Sequence, residues 1–211
     1  MKIVVSLTSP DEIQKAVALG ADLIELRLDL MDEDLSTAMA GCSKACAAPL
    51  IATLRSQEEG GTFTGDPDRW FSIVQPFLDL VDYVDVERRF RRFAPLIRYQ
   101  HLQVIASAHI TYMPPPDDLK AIERDLRSFG DIPKIAVTPS SQRDLLDLLA
   151  FTLDVEKPVI TSVQGAEFRY ARTFLPFFGS EMVYCHIGTP TAKGQYDIRE
   201  LQQLKELLIY H

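Results

Sequence analysis

Asp131-Ile-Pro-Lys-Ile-Ala-Val-Thr-Pro139 is an apolar, largely β-branched run closed by Thr138-Pro139, with one lysine, Lys134, in its middle. Ile132 to Val137 reads as a short buried strand. An unpaired ammonium is costly to bury in such a strand. Either the amine gives up its proton and becomes a nucleophile, or its head stays in solvent at the strand's mouth. The strand fits both, and the rest of the chain has to decide between them.

Working outward, strand-like and helix-like segments alternate from end to end. Strands are expected at Lys2–Leu7, Asp22–Leu28, Leu50–Leu54, Tyr83–Val86, Leu102–Ser107, Ile132–Val137, Pro158–Val163 and Met182–His186. Helices are expected from Ser9-Pro-Asp-Glu12 to Gly20, then over Asp32–Ala40, Pro67–Leu80, Phe90–Tyr99, Asp117–Phe129, Ser140–Leu153, Glu167–Phe178 and Tyr196–Tyr210. Pro95 weakens the fourth of these. The strands are short and apolar on both faces, as parallel strands covered by helices must be. Eight such units in 211 residues predict an α/β chain folded as a (β/α)8 TIM barrel, a single catalytic domain over 1–211. A doubly wound sheet is the competing architecture, but the first strand is not followed by Gly-x-Gly-x-x-Gly.

Composition narrows the partners. A hydrophobic share of 46% beside 25% charged residues suits a soluble globular chain, and a net charge of −8 argues against a nucleic-acid binder. No run approaches the roughly 20 apolar residues of a membrane span, and the N-terminal run is too short for a signal peptide. Cys42, Cys46 and Cys185 make an odd count that fits reduced thiols in a cytoplasm. Cys42 and Cys46 lie four apart, on one helix face, with no further Cys or His nearby, so no metal site is expected and packing is their default role.

In a barrel, chemistry gathers at the C-terminal strand ends. Polar residues recur there along this chain: Glu25, Arg27 and Asp29 at spacing two, Arg55 and Glu59, Asp85 and Glu87, His109, Lys134, Arg169 and Arg172, and the loop Thr189–Gln195. Any one of these could be an ordinary solvated residue. Their recurrence at nearly every strand end points to a site. A lysine and a histidine on adjacent strands suit Schiff-base chemistry, provided the amine, with an ordinary pKa of about 10.4, is depressed by a few units. The imine acidifies the neighbouring carbon, and the histidine then moves its proton. A carboxylate on that histidine would orient the ring.

The chain resembles type I 3-dehydroquinate dehydratases, the Schiff-base dehydratases of the shikimate pathway. The resemblance rests on Ile24-Glu-Leu-Arg-Leu-Asp29, Thr53-Leu-Arg-Ser-Gln-Glu-Glu-Gly-Gly61, Val104-Ile-Ala-Ser-Ala-His109, Ile132-Pro-Lys-Ile-Ala136, Arg172 with Phe178-Gly-Ser180, and Ala192-Lys-Gly-Gln195. It implies a (β/α)8 barrel, usually dimeric and free of cofactors. It further implies that Lys134 forms the imine, His109 is the general acid/base, and Glu59 is its partner. Glu25, Arg27 and Arg55 would meet the ring hydroxyls of 3-dehydroquinate, Arg172 its carboxylate, and Gln195 would close over it from the last loop. Arg172 fits better than Arg169 because it lies seven residues before Gly179-Ser180.

Two departures stand out. Thr191 replaces a common serine, keeping the hydroxyl at the substrate and adding a methyl. The chain also begins nearer its first strand than many members do, so strands closing the barrel's bottom are not expected. Asp29, Asp85 and Glu87 are supporting candidates only. Two other readings compete: a class I aldolase acting on a sugar phosphate, which would need a phosphate site after strands seven and eight, and a binding barrel that has lost its chemistry.

Overall fold

The computed structural model describes residues 1–31 and 48–209; the expected helix at Asp32–Ala40 and both Cys42 and Cys46 lie outside the described residues. Eight strands carry the fold: β1 (Lys2–Leu7), β2 (Leu23–Arg27), β3 (Leu50–Thr53), β4 (Tyr83–Glu87), β5 (Gln103–Ile110), β6 (Ile132–Val137), β7 (Ile160–Val163) and β8 (Met182–His186). All pair in parallel, and β1 lies between β2 and β8. The seam from β7 to β8 is a single parallel bridge, Val159 to Ser180. There the Glu181 N–H donates to the Val159 carbonyl at 2.8 Å, and the Ser180 hydroxyl accepts from the Thr161 N–H at 3.0 Å. Ser180, which the sequence marks as part of a motif, thus closes the (β/α)8 barrel.

Side chains alternate in and out of this barrel with a period of two. One apolar layer, drawn from every strand, fills the bottom of the interior: Val4, Leu23, Ile51, Tyr83, Ile105, Ile132, Ile160 and Met182. Two residues further along each strand the interior turns polar, with Ser6, Glu25, Thr53, Asp85, Ser107 and Lys134 all buried. A further step reaches Arg27, Arg55, Glu87 and His109 at the mouth. The outward residues, such as Val5, Leu26, Ala52, Val84 and Ile135, pack under the helices in a separate core.

The described helices on the outside are α1 (Ile13–Ala18), α2 (Pro67–Val74), α3 (Ala94–Tyr99), α4 (Pro116–Arg127), α5 (Gln142–Asp154), α6 (Ala171–Phe174) and α7 (Ile198–Ile209). Several are shorter than the sequence suggests, and at three of them a proline marks one boundary. Pro76 and Pro176 sit where the helix would need their missing N–H, so α2 and α6 pass into 3-10 turns at Gln75–Phe77 and Leu175–Phe178. Pro95 does not interrupt a helix but begins one: a 3-10 stretch, Arg88–Phe93, precedes α3 and the proline occupies its first turn. Strand β5 runs three residues past its expected end and carries His109 inside it. A two-residue strand, β9 (Tyr196–Asp197), which the sequence did not announce, precedes α7 and pairs with β8.

Trp70 of α2 is fully buried, stacks on Phe90 at 4.6 Å, and donates its indole N–H to the Leu54 carbonyl at 3.0 Å. It therefore fixes the residue next to Arg55. Trp70→Ala is expected to cost about 3–5 kcal/mol of stability, measured by denaturant unfolding. A loss below about 1 kcal/mol would mean that this anchor is dispensable.

Candidate active site

A cavity of about 540 Å³ opens at the C-terminal strand ends, lined by Lys134, His109, Glu59, Arg172 and Gln195 among others. Every residue given a catalytic or substrate-binding role from the sequence (also Glu25, Arg27, Arg55 and Thr191) lines this one space, while Asp29, Asp85, Glu87 and Arg169 do not. The fold explains the convergence: parallel strands deliver their ends to one rim, and the period of two turns alternate residues inward.

Lys134 sits at the floor, about 5% exposed, so its head is not in solvent. Nor is it unpaired. Its Nζ donates to Asp85 Oδ2 at 2.9 Å, lies 3.7 Å from Glu25 Oε1, and stands over the Tyr184 ring at 4.1 Å from the centroid. Burial by itself would drive the proton off. Asp85 first, then Tyr184 and Glu25, outweigh that effect and hold the pKa above its ordinary value. The expectation of a depressed amine is corrected here. Burial here comes with a carboxylate, and Asp85 favours the ammonium form of Lys134.

Glu25 is anchored by hydroxyls, accepting from Ser6 at 2.5 Å and Thr53 at 2.9 Å. Arg55 is the hub of the wall. Its Nη1 donates to Ser107 at 2.9 Å, Glu87 at 3.1 Å and Glu59 at 3.3 Å, and its Nη2 meets Asp85 at 2.8 Å. Although burial opposes the charge, Asp85, Glu87 and Glu59 keep this guanidinium protonated. Glu87 is locked in turn by the Ser56 N–H at 2.8 Å and the Ser56 hydroxyl at 2.5 Å. Arg27 holds Asp29 through Nε at 2.8 Å and Nη2 at 2.7 Å, and Asp29 also accepts from the Arg55 N–H at 3.3 Å. The three acids treated as supporting candidates therefore orient the two arginines, and Asp85 additionally touches the lysine.

His109 and Glu59 form a pair, with Nδ1 to Oε2 at 2.8 Å. The same oxygen accepts the His109 backbone N–H at 3.0 Å, which fixes the carboxylate against the strand. Glu59 reaches that point because the chain turns back after β3. A Cβ at Gly61 would overlap the Arg55 carbonyl, so only glycine lets the turn close this tightly. Burial raises Glu59 to about 8, Arg55 opposing. Burial, then the charges of Arg55 and Lys134, push His109 well below its ordinary value. The form able to accept a proton has Nδ1–H donated to the Glu59 carboxylate and a free Nε2.

Arg172 forms part of the cavity wall opposite in chemical character: a buried guanidinium with no carboxylate partner among the described residues. Its Nη2 donates only to the Lys193 carbonyl, at 3.3 Å, and its Nε has no partner. Burial, then the nearby charge of Arg169, pushes it down to about 10. Arg169 itself turns away to Glu200 at 3.2 Å and stacks on Tyr196 at 3.9 Å. From the last loop, Gln195 Oε1 accepts from the Thr191 N–H at 2.8 Å, the Thr191 hydroxyl at 3.1 Å and the Ala192 N–H at 3.2 Å. With its oxygen so engaged, Gln195 has only its amide hydrogens to offer a ligand.

Sequence reasoning missed Ser6, Ser107 and Tyr184. The signal was present for Ser107 and Tyr184, each two residues before a polar strand end, His109 and His186. Small hydroxyls and a tyrosine are too common to stand out without a register. Among the described residues, no group of His, Cys, Asp and Glu is placed to hold a metal ion.

Comparison with known proteins follows the same lines. The sequence profile of the type I 3-dehydroquinase family matches residues 5–209. The chain is 48% identical to a 3-dehydroquinate dehydratase of Methanoregula boonei over 208 residues, 99% of this chain and 100% of the relative. It is 39% identical to one of Methanospirillum hungatei, over 99% of this chain and 81% of the relative. Its fold is similar to the crystal structure of the 3-dehydroquinate dehydratase of Aquifex aeolicus, with a TM-score of 0.86, 26% identity and full coverage of both chains.

Proposed function

The chain belongs to the type I 3-dehydroquinase family, and from that premise we propose that it removes water from 3-dehydroquinate to give 3-dehydroshikimate, in the shikimate pathway, through an imine on Lys134. The observation that carries this reading is the sharing of one cavity by a buried lysine, a carboxylate-bound histidine and a carboxylate-free arginine.

Arg172 pairs with the substrate carboxylate, which supplies the anion its buried guanidinium lacks. The ketone is then set over Lys134. After the ammonium gives up a proton, the Nζ lone pair attacks the carbonyl carbon and the oxygen leaves as water, forming an iminium. His109 Nε2 takes the proton from the adjacent carbon. Its electron pair forms the new double bond as the β-hydroxyl departs with a proton returned by His109, on the same face. Water then hydrolyses the imine and frees Lys134. Glu59 holds the His109 tautomer in which Nε2 is the base. Arg27 and Arg55, with Glu25, face the ring hydroxyls, and Thr191 and Gln195 cover the substrate from the last loop.

Borohydride reduction in the presence of 3-dehydroquinate, followed by peptide mass analysis, tests this reading. A reduced adduct on Lys134 supports the nucleophile, substrate and reaction class together. Water loss without any adduct would contradict the imine path. Arg172→Gln is expected to raise KM roughly 10- to 100-fold, the loss of a charge-assisted contact of about 1.5–3 kcal/mol, with a smaller change in kcat. An unchanged KM would remove Arg172 from carboxylate binding.

We place the protein in the cytoplasm as one catalytic domain over 1–211, working as a homodimer. In support, among the described residues no helix is long and apolar enough to cross a membrane. Leu146, Leu153 and Phe177, on α5 and the turn after α6, are each half exposed or more, and light scattering would read the dimer directly.

A further inference from the structure

We propose that Asp85 is the fixed counter-ion of the Lys134 nitrogen throughout the reaction, a catalytic residue beyond the lysine–histidine pair, whose task is to keep the imine in its protonated form while the α-proton is removed. The proposal builds on the imine reading above. It rests on where Asp85 stands and on what else binds it.

Oδ2 of Asp85 lies 2.9 Å from Lys134 Nζ. Its Oδ1 accepts the Ser107 hydroxyl at 2.5 Å and meets Arg55 Nη2 at 2.8 Å. Ser107 also accepts from Arg55 Nη1 at 2.9 Å, so serine and arginine brace the carboxylate from behind. The side chain is about 1% exposed, and water does not screen the pair. Two cations and a hydroxyl leave Asp85 a very weak base, held well below the usual carboxylate range against the opposing effect of burial. It is therefore not the group that accepts the lysine's proton. That proton must leave through His109 or bulk water.

The charge on Nζ goes through three states. It is positive in the ammonium, neutral while the lone pair attacks the carbonyl, and positive again once water has left and C=N–H has formed. Only the last state withdraws electrons strongly enough to acidify the adjacent carbon. A permanent anion 2.9 Å away stabilises the first and third states and not the second. The enzyme thus accepts a slower attack in exchange for an imine that stays protonated. Glu25 at 3.7 Å contributes less, since both of its oxygens are held by hydroxyls. The other groups around Lys134 are Arg55 just after β3, His109 on β5 and the Tyr184 ring on β8; the cation on Arg55 opposes Asp85 and the tyrosine supports it.

The test uses the full-length enzyme with lysine labelled at Cε, the Lys134 signal being identified by its loss in Lys134→Ala. In Asp85→Asn the pH at which Lys134 titrates should fall by at least one unit. Turnover should fall on the order of 10- to 100-fold, and Asp85→Glu should recover part of both. An unmoved titration in a folded but slow Asp85→Asn would make Asp85 a structural brace and overturn the proposal. Should Asp85→Asn fail to fold, the wild-type titration decides: a Lys134 midpoint at or below that of an exposed lysine would equally overturn it. Borohydride trapping of the wild type separates the two claims. If no adduct forms there, the imine reading has failed. If the adduct forms and the titration does not respond, only the role of Asp85 has failed.

Discussion

Lys134→Ala is expected to abolish the borohydride-dependent adduct and to lower kcat on the order of 10⁵- to 10⁶-fold, the scale on which loss of a covalent nucleophile is felt. Without the amine no iminium forms, and the α-proton then has to leave from an ordinary ketone. The cavity would still bind substrate, since Arg172 and the loop bearing Gln195 are untouched, so KM should change far less than kcat. Folding is expected to survive. Asp85 keeps Arg55 at 2.8 Å and the Ser107 hydroxyl, and Glu25 keeps Ser6 and Thr53. The buried acids do lose one cation, so a lower unfolding midpoint should accompany the loss of activity. A variant retaining one per cent of wild-type turnover would show that the imine is not on the main path.

His109→Ala should be the next most damaging change, at roughly 10²- to 10⁴-fold in kcat, the usual contribution of a positioned general acid/base. The loss should spread over three steps, because one residue serves imine formation, elimination and hydrolysis in turn. Single-turnover kinetics would separate them; normal rates in all three would remove His109 from the mechanism. The wild-type pH profile carries the same information. The competent base has a free Nε2 and an ionised Glu59. Burial raises Glu59, so activity should rise with pH through a limb above the ordinary carboxylate range. In Glu59→Gln the site for that extra proton is gone, while burial, Arg55 and Lys134 still keep His109 neutral to low pH. Its acid limb should therefore move to lower pH even as kcat falls. A limb moving upward would mean that the pair does not govern proton transfer.

Much of this architecture was legible beforehand. Ile132–Val137 and Met182–His186 were read with the bounds they have in the structure, because a short apolar run between breakers can do little else. Misreadings gathered at prolines, where Pro76, Pro95 and Pro176 each mark a boundary between helix types. Proline's local effect is certain, but whether it ends a helix or begins one depends on the packing on either side. In the site, Lys134 and His109 stand out as titratable groups on otherwise apolar strands, whereas Glu59 and Arg172 are legible through the resemblance, Arg172 by its spacing from Gly179-Ser180. Ser6 did not stand out, since nothing in its neighbourhood distinguishes it, and Ser107 and Tyr184 are marked only by lying two residues before His109 and His186.

By itself, the sequence determined the alternation of elements, hence the barrel, and which side chains turn inward at its mouth. Those follow from periodicity and strand length, which are properties of neighbouring residues. Which charge each of those side chains would meet was decided only by the tertiary structure. Asp85 is 49 residues from Lys134, and their 2.9 Å separation comes from the strand registers that bring β4 and β6 to opposite sides of β5. Electrostatic energy depends on that distance and on the exclusion of water. Identical residues could have favoured a neutral amine or an ammonium, and the register of three strands favours the ammonium.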